Sequence, residues 1–434
     1  MPLIRSWIDA ANAPDGDFPV NNLPFGVFSD GDEDMARCGV AIGDMVLDLA
    51  ALEEALILPS LSEEEEPVFD LPFLNAFMET GPETWAAVRA RLTDILRADG
   101  DPVLSGDPEL QSEVLFPLDK VTMYLPFIVN EYTDFYAGRH HATNIGTMFR
   151  GAENALPPNW LHIPIGYNGR ASTVVVSGTD IRRPLGQTKA PDAEMPSFGP
   201  CKRLDIELEL GAVVGQANAM GQPVSVAEAD EMIFGYVILN DWSARDIQAW
   251  EYQPLGPFQA KVFASSISPW VVTKAALEPF RTSTPEREKP LLPYLQEPGP
   301  MLYDIALSVD LQPAGAEDVT TIARTNYNEM YYSSAQQLCH HAIGGCAMSV
   351  GDLLGSGTIS GTTEDSRGSL VELSWGGKTP LTLTGGETRS FLEDGDTVTL
   401  SGHAAGDGYR VGFGQCAGRI LPAHDPAKLT GGGA

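Results

Sequence analysis

LDIELELGAVVG, residues 204–215, alternates apolar and other residues with a period of two, the signature of a β-strand. Successive strand side chains leave on opposite faces. Leu204, Ile206, Leu208 and Leu210 therefore share one face, and Glu207 and Glu209 stand together on the other. Neighbouring carboxylates repel unless a proton, a cationic side chain or a metal lies between them. The segment thus reads both as a core strand and as part of a site. Other β-type runs surround it: TVVVSGT (173–179), LYDIALSVDLQ (302–312), SLVELSW (369–375) and DTVTLSG (396–402), divided by Gly, Pro and Asp turns. Few long helical patterns intervene from residue 126 onward, which predicts a mostly β, largely antiparallel domain.

The first part of the chain differs. It mixes strand-like GVAIGDMVLDLA (39–50) with ETWAAVRARLTDILRA (83–98), where Trp85, Val88, Leu92 and Ile95 recur at helical spacing. ADGDPVLSGDPELQSEV (98–114) is rich in Gly, Pro and Asp and reads as a linker. The acidic run at 63–66 reads as a solvated loop, the Pro-rich stretch 284–300 as a surface excursion, and the GGGA tail (431–434) as disordered. A chain of 434 residues fits two domains.

Composition excludes several classes. The formal charge is −32, from 59 acidic and 27 basic residues, so the surface repels phosphate backbones and nucleic acid is not an expected partner. No window approaches the roughly 18 consecutive apolar residues of a membrane span, and the first residues do not read as a signal peptide. The five scattered cysteines do not form a disulfide framework, which points to a reducing cytoplasm. GxGxxG, Walker and GxSxG motifs are all absent from the sequence.

Chemistry gathers in a few blocks. TDFYAGRHHATN (133–144) offers Asp134 and His141; with Thr133 or Asp134 as a helix N-cap, they would lie about 10 Å apart on one helical face. The alternative is a capping aspartate with a surface histidine, and His140 reads as structural. In NDWSARDIQAWEY (240–252), Asp241, Arg245, Gln248 and Tyr252 fall on one helical stripe, either a solvent face or a ligand-orienting one. Lys261 follows, positioned to offset clustered carboxylates. Asp134, Glu207, Glu209 and Asp241 together describe an all-oxygen site for a hard divalent cation. SGTISG (356–361) places Thr358 where backbone can approach a ligand, and Glu372, acidic in an apolar run, suits a histidine partner or a buried ion pair. CHHAIGGC (339–346) lacks zinc-site spacing; its histidines read as the last turn of a helix ending at Gly344 and Gly345.

Residues 131–179, CKRLDIELEL (201–210), LNDWSARDIQAWEYQPLGPF (239–258) and GDGYRVGFGQCAG (406–418) closely resemble the fumarylacetoacetate hydrolase family, with the likeness running from about residue 120 to 422. The resemblance implies an SH3-like barrel N-terminal domain (1–120), a larger β-roll catalytic domain (121–434) and a homodimer. It implies hydrolysis of a carbon–carbon bond in 4-fumarylacetoacetate, a diketo dicarboxylate, to fumarate and acetoacetate, the last step of tyrosine and phenylalanine breakdown. By the same resemblance, Asp134, Glu207, Glu209 and Asp241 bind Ca²⁺ or Mg²⁺, with Lys261 and Ser265 beside a magnesium. His141 is the general base oriented by Glu372; Arg245, Gln248 and Lys261 meet oxyanion charge; Tyr136, Arg150, Tyr167, Gln248, Tyr252 and Thr358 hold substrate. Ser265 stands where the family has Thr, keeping the hydroxyl, and His140 where Gln is common, adding a titratable neighbour to the base. Related scaffolds hydrolyse acylpyruvates or decarboxylate and isomerise oxo-acids, the nearest alternative activities. A carboxylate-binding protein without catalysis would be expected to lack His141 or Glu372, and both are present. An iron site using His140 and His141 is disfavoured because adjacent helical residues diverge.

Overall fold

The structure, a computed structural model, describes residues 1–31, 35–59, 61 and 67–429. The acidic run at 63–66 and the C-terminal GGGA lie outside the described residues. The fold is mostly β. An N-terminal antiparallel sheet orders its strands Leu115–Pro117, Met45–Asp48, Arg37–Ile42, Phe25–Ser29 and Thr122–Met123. The helix Pro82–Leu96 buries Val88, Leu92 and Ile95 against it, as the helical spacing predicts, while Trp85 is only partly buried. Residues 98–114 are not a plain linker. Asp107 caps a helix at Pro108–Val114, and the strand that follows completes the N-terminal sheet through Met45↔Pro117. The Asp-Pro pair that read as a loop signal is a helix start, with Asp as N-cap and Pro at the first helical position.

The central sheet has eight strands. Leu208–Val214 and Ile233–Asp241 pair antiparallel at its middle. Tyr132–Phe135 pairs parallel with Leu353–Gly355 on one side, and Val174–Val176 pairs parallel with Ser265–Ile267 on the other. Leu208, Leu210 and Ala212 join Tyr236 and Ile238 in one core, shared with Leu307, Val309 and Leu400 of a second, five-stranded sheet. Val213, Val237 and Leu239 on the opposite face belong to the core shared with the N-terminal unit. Both faces of the strand pair are covered, so every residue of Leu208–Val214 is buried. Burying one leucine side chain contributes roughly 1.5–3 kcal/mol; this doubly covered pair is the rigid floor on which the acidic residues stand.

Four local readings change. The run 204–215 is not one strand: it divides into Leu204–Asp205 and Leu208–Val214, with Ile206 and Glu207 in the break between them. Asp134 caps no helix: it lies in the strand Tyr132–Phe135, paired with Gly355, and the helix Arg139–Arg150 begins after Gly138. Asp241 ends a strand, so only Arg245 and Gln248 of the proposed stripe lie within the helix Arg245–Glu251, with Tyr252 at its C-cap. SLVELSW is not a strand; Leu370–Leu373 is one helical turn, and its first amides are taken by the Asp205 carboxylate.

Candidate active site

The four carboxylates converge. Ligand atoms of Asp134, Glu207, Glu209 and Asp241 all lie within 4.8 Å of one another, and all four residues are buried. Sheet register explains this. Asp134 faces Gly355, which is itself paired with Gly211, two residues beyond Glu209 on the neighbouring strand. A Cβ at Gly355 would stand 2.9 Å from both Asp134 Oδ1 and Glu209 Oε2, so glycine leaves the space the two carboxylates use. Asp241 lies one strand further, opposite Ser265, whose hydroxyl donates to it at 3.4 Å.

Charge is only partly balanced. Lys261 Nζ bonds both Glu207 and Asp241. Arg245 Nη1 reaches Glu207 Oε1 at 2.8 Å, and its Nε donates to Asp205 Oδ2 at 2.8 Å. Burial alone would raise Glu207, but Lys261, then Arg245 and His141, hold it well below the usual carboxylate range. For Asp134 and Glu209 the pull of Lys261 is outweighed: burial, then repulsion from Asp241 and from Asp134 respectively, pushes each well above its ordinary value. Asp134 Oδ1 and Glu209 Oε1 are buried without a hydrogen-bond partner. Unpaired buried acceptors beside two further carboxylates fit a hard divalent cation.

The raised pair gives a pH signature. A carboxyl whose folded pKa exceeds its unfolded value holds a proton in the native state that the unfolded chain has released, so its contribution falls as pH rises above about 4. Removing a cation bound at this cluster would therefore be expected to destabilise the protein increasingly toward alkaline pH. The gap in melting temperature between cation-loaded and chelated protein should widen between about pH 5 and about pH 8, read by calorimetric scans.

Across the pocket, His141 sits in the first turn of Arg139–Arg150, with Nδ1 2.6 Å from Glu372 Oε2. Burial would raise Glu372, but His141, Asn144 and Ser369 outweigh it and hold the carboxyl low. Asn144 Nδ2 donates to Oε1 at 2.9 Å; Ser360 and Ser369 hydroxyls donate to Oε2 at 3.0 and 2.7 Å. An ionised carboxylate accepts only, so Nδ1 is the donor to Glu372, and Nε2 is the ring nitrogen left to face the pocket. Glu207 Oε1 is 3.6 Å from Nε2, beyond hydrogen-bond range.

These groups open into a pocket of about 470 Å³ lined by Asp134, Tyr136, His141, Arg150, Tyr167, Glu207, Arg245, Gln248, Tyr252, Lys261 and Thr358. Glu209, Asp241 and Ser265 form the floor beneath it, and Tyr167 OH donates to Asp241 Oδ2 at 3.0 Å. Tyr136 meets the His141 ring edge-on at 5.6 Å. Arg150 Nη2 is already used by the Ala155 carbonyl, and the Thr358 hydroxyl and Arg245 Nη2 are buried without partners. All the residues singled out from the sequence are thus brought to one place. His140 is not among them: it pairs with Glu329 at 3.3 Å, outside the pocket. His340 and His341 end the helix Ser334–Ala342 and bond Tyr294 and Thr133. Sequence reasoning missed Asp205, Asn144, Ser360 and Ser369. Asp205 shares the strand parity of Glu207 and Glu209, and Asn144 lies one turn after His141; the two serines carry no local signal.

A model of the fumarylacetoacetate (FAA) hydrolase C-terminal part matches residues 131–421, and one of the fumarylacetoacetase N-terminal part matches residues 21–126. The chain is 52% identical over 411 residues to the fumarylacetoacetase of Bos taurus, covering 95% of this chain and 98% of that one. It is 50% identical over 415 residues to that of Homo sapiens, covering 96% and 99%. With that of Arabidopsis thaliana it shares 49% over 423 residues, covering 98% and 100%. Among solved structures, a fumarylacetoacetate hydrolase from psychrophilic Exiguobacterium antarcticum superposes with a TM-score of 0.51 at 16% identity, covering 93% of this chain and all of that one, a likeness of fold.

Proposed function

The chain belongs to the fumarylacetoacetate hydrolase family, and from that premise we propose that it is a metal-dependent hydrolase that cleaves the carbon–carbon bond of 4-fumarylacetoacetate, releasing fumarate and acetoacetate. The observation that carries this reading is the buried acidic quartet facing a His141–Glu372 pair across one pocket.

Asp134, Glu207, Glu209 and Asp241, with Lys261 and Ser265 at their edge, would hold Ca²⁺ or Mg²⁺, since the donors are oxygens. A cation held by these residues would supply Lewis-acid stabilisation of developing negative charge on the diketone. His141 Nε2 takes a proton from water as the water oxygen bonds to the fumaryl carbonyl carbon. The oxyanion is met by Arg245, Gln248 and Lys261, with Arg245 Nη2 as the donor left free. When the carbon–carbon bond breaks, its electron pair leaves with acetoacetate, and the proton held by His141 returns to that carbon. Tyr136, Arg150, Tyr167, Tyr252 and Thr358 line the space for the remaining substrate atoms. The cations also answer the repulsion that a protein of charge −32 exerts on a dicarboxylate.

The same reading extends to architecture and setting. It gives an SH3-like barrel over residues 1–120, a β-roll over 121–434 and a cytoplasmic homodimer. Exposed apolar side chains at the pocket, Phe149 and Leu255, support association, and five free cysteines suit a reducing compartment.

Purified protein given 4-fumarylacetoacetate with Ca²⁺ or Mg²⁺ is expected to remove the diketone absorbance, and chelator to stop it. Turnover of acylpyruvates with fumarylacetoacetate untouched would replace this reading with the sibling activity.

A further inference from the structure

The proposed mechanism needs two things held still: a guanidinium with one donor free, and an imidazole in one tautomer. One carboxylate outside that mechanism touches the supports of both. Asp205 is fully buried, and its strand segment Leu204–Asp205 pairs with Ser243–Ala244, immediately before Arg245. Its Oδ2 accepts from Arg245 Nε at 2.8 Å and from Val371 N at 3.0 Å. Its Oδ1 accepts from Leu370 N at 2.7 Å and from Ile206 N at 2.8 Å.

The first contact fixes the guanidinium. With Nε on Asp205 and Nη1 on Glu207 and Gln248, the plane of Arg245 cannot rotate, and Nη2 remains buried and unpartnered. The second pair of contacts fixes Glu372. The amides of Leu370 and Val371 open the helical turn Leu370–Leu373, and such first-turn amides need an outside acceptor. Ser369 occupies the N-cap position but makes no side-chain cap; its hydroxyl donates to Glu372 Oε2 instead. Asp205 supplies the acceptor that Ser369 does not, which leaves Ser369 free to hold Glu372 against His141.

Resting on the proposed reaction, we propose that Asp205 is a positioning residue that sets the oxyanion donor Arg245 and the Glu372–His141 pair through a single carboxylate. It touches no substrate, being absent from the pocket wall.

The test is Asp205→Asn, which keeps the shape and loses one acceptor oxygen. The expected result is a fall in kcat on the order of 10²-fold, with KM within roughly threefold and cation content as in the parent protein, because only interactions used in the transition state are weakened. The proton on His141 Nδ1, held by a charge-assisted bond to Glu372, should give a downfield NMR resonance that moves or vanishes in the variant. That resonance is read without turnover, so an inactive parent protein would overturn the proposed reaction and leave the positioning claim to the spectrum. Should Asp205→Asn fail to fold, Asp205→Glu, with both acceptors on a longer arm, is expected to show the same loss of kcat and the same spectral change. A folded variant whose downfield proton is unmoved, or whose kcat stays within about threefold of the parent, overturns the inference.

Discussion

Replacing His141 with alanine is expected to lower kcat on the order of 10³- to 10⁴-fold while the protein keeps its cation. The two halves of that result have separate causes. The imidazole lines the pocket with Glu372 against its Nδ1 and its Nε2 turned toward Glu207, which suits it to the general-base role. The cation would be held by four other residues, whose contacts to Lys261, Arg245 and Tyr167 do not pass through His141. Alanine suits the helix Arg139–Arg150, and Glu372 retains Asn144, Ser360 and Ser369, so the fold has little reason to change. Residual activity should climb with hydroxide concentration in place of following a basic group's titration. Metal analysis alongside a pH–rate profile checks both halves. A variant retaining most of its kcat would remove the general base from the mechanism.

What the sequence disclosed follows from how local each cause is. The alternation in residues 204–215 is a local property, and it brings Glu207 and Glu209 to one site although Glu207 lies in the break between Leu204–Asp205 and Leu208–Val214. It also contains Asp205, which carries no local signal of its role beyond strand parity because its partners Arg245 and Leu370 are far away in the chain. TDFYAGRHH offers Thr133 or Asp134 as a good capping residue and so suggests a helix start there. The structure uses that stretch as a strand because Leu353–Gly355 is available to pair with it. The turn at Leu370–Leu373 carries β-forming Val371, and its helical form depends on an acceptor from another strand. Local propensity thus located the chemistry, while long-range hydrogen bonds decided the backbone that carries it.

Substituting Lys261 with methionine tests the electrostatics of the whole site. The lysine is buried and bonded to two carboxylates. Burial would lower its pKa, but Asp241 and Glu207 outweigh this and hold it above the ordinary lysine value, so it stays charged. Methionine fills similar space and brings no charge, leaving Glu207 with Arg245 and the more distant His141, and Asp241 with the hydroxyls of Tyr167 and Ser265. Breaking a buried pair from one side costs about 3–5 kcal/mol, so the chelated variant should melt well below the chelated parent. A divalent cation counters the same uncovered charge. Its stabilising effect is therefore expected to be larger in the variant than in the parent, although the variant is the weaker enzyme. Turnover should fall by about 10³-fold, since the oxyanion loses one of its cations. Scanning calorimetry on both proteins, with and without cation, separates these effects. Equal cation-induced shifts in the two would mean that the ammonium and the cation do not share the same negative field, and the charge argument for the site would fail.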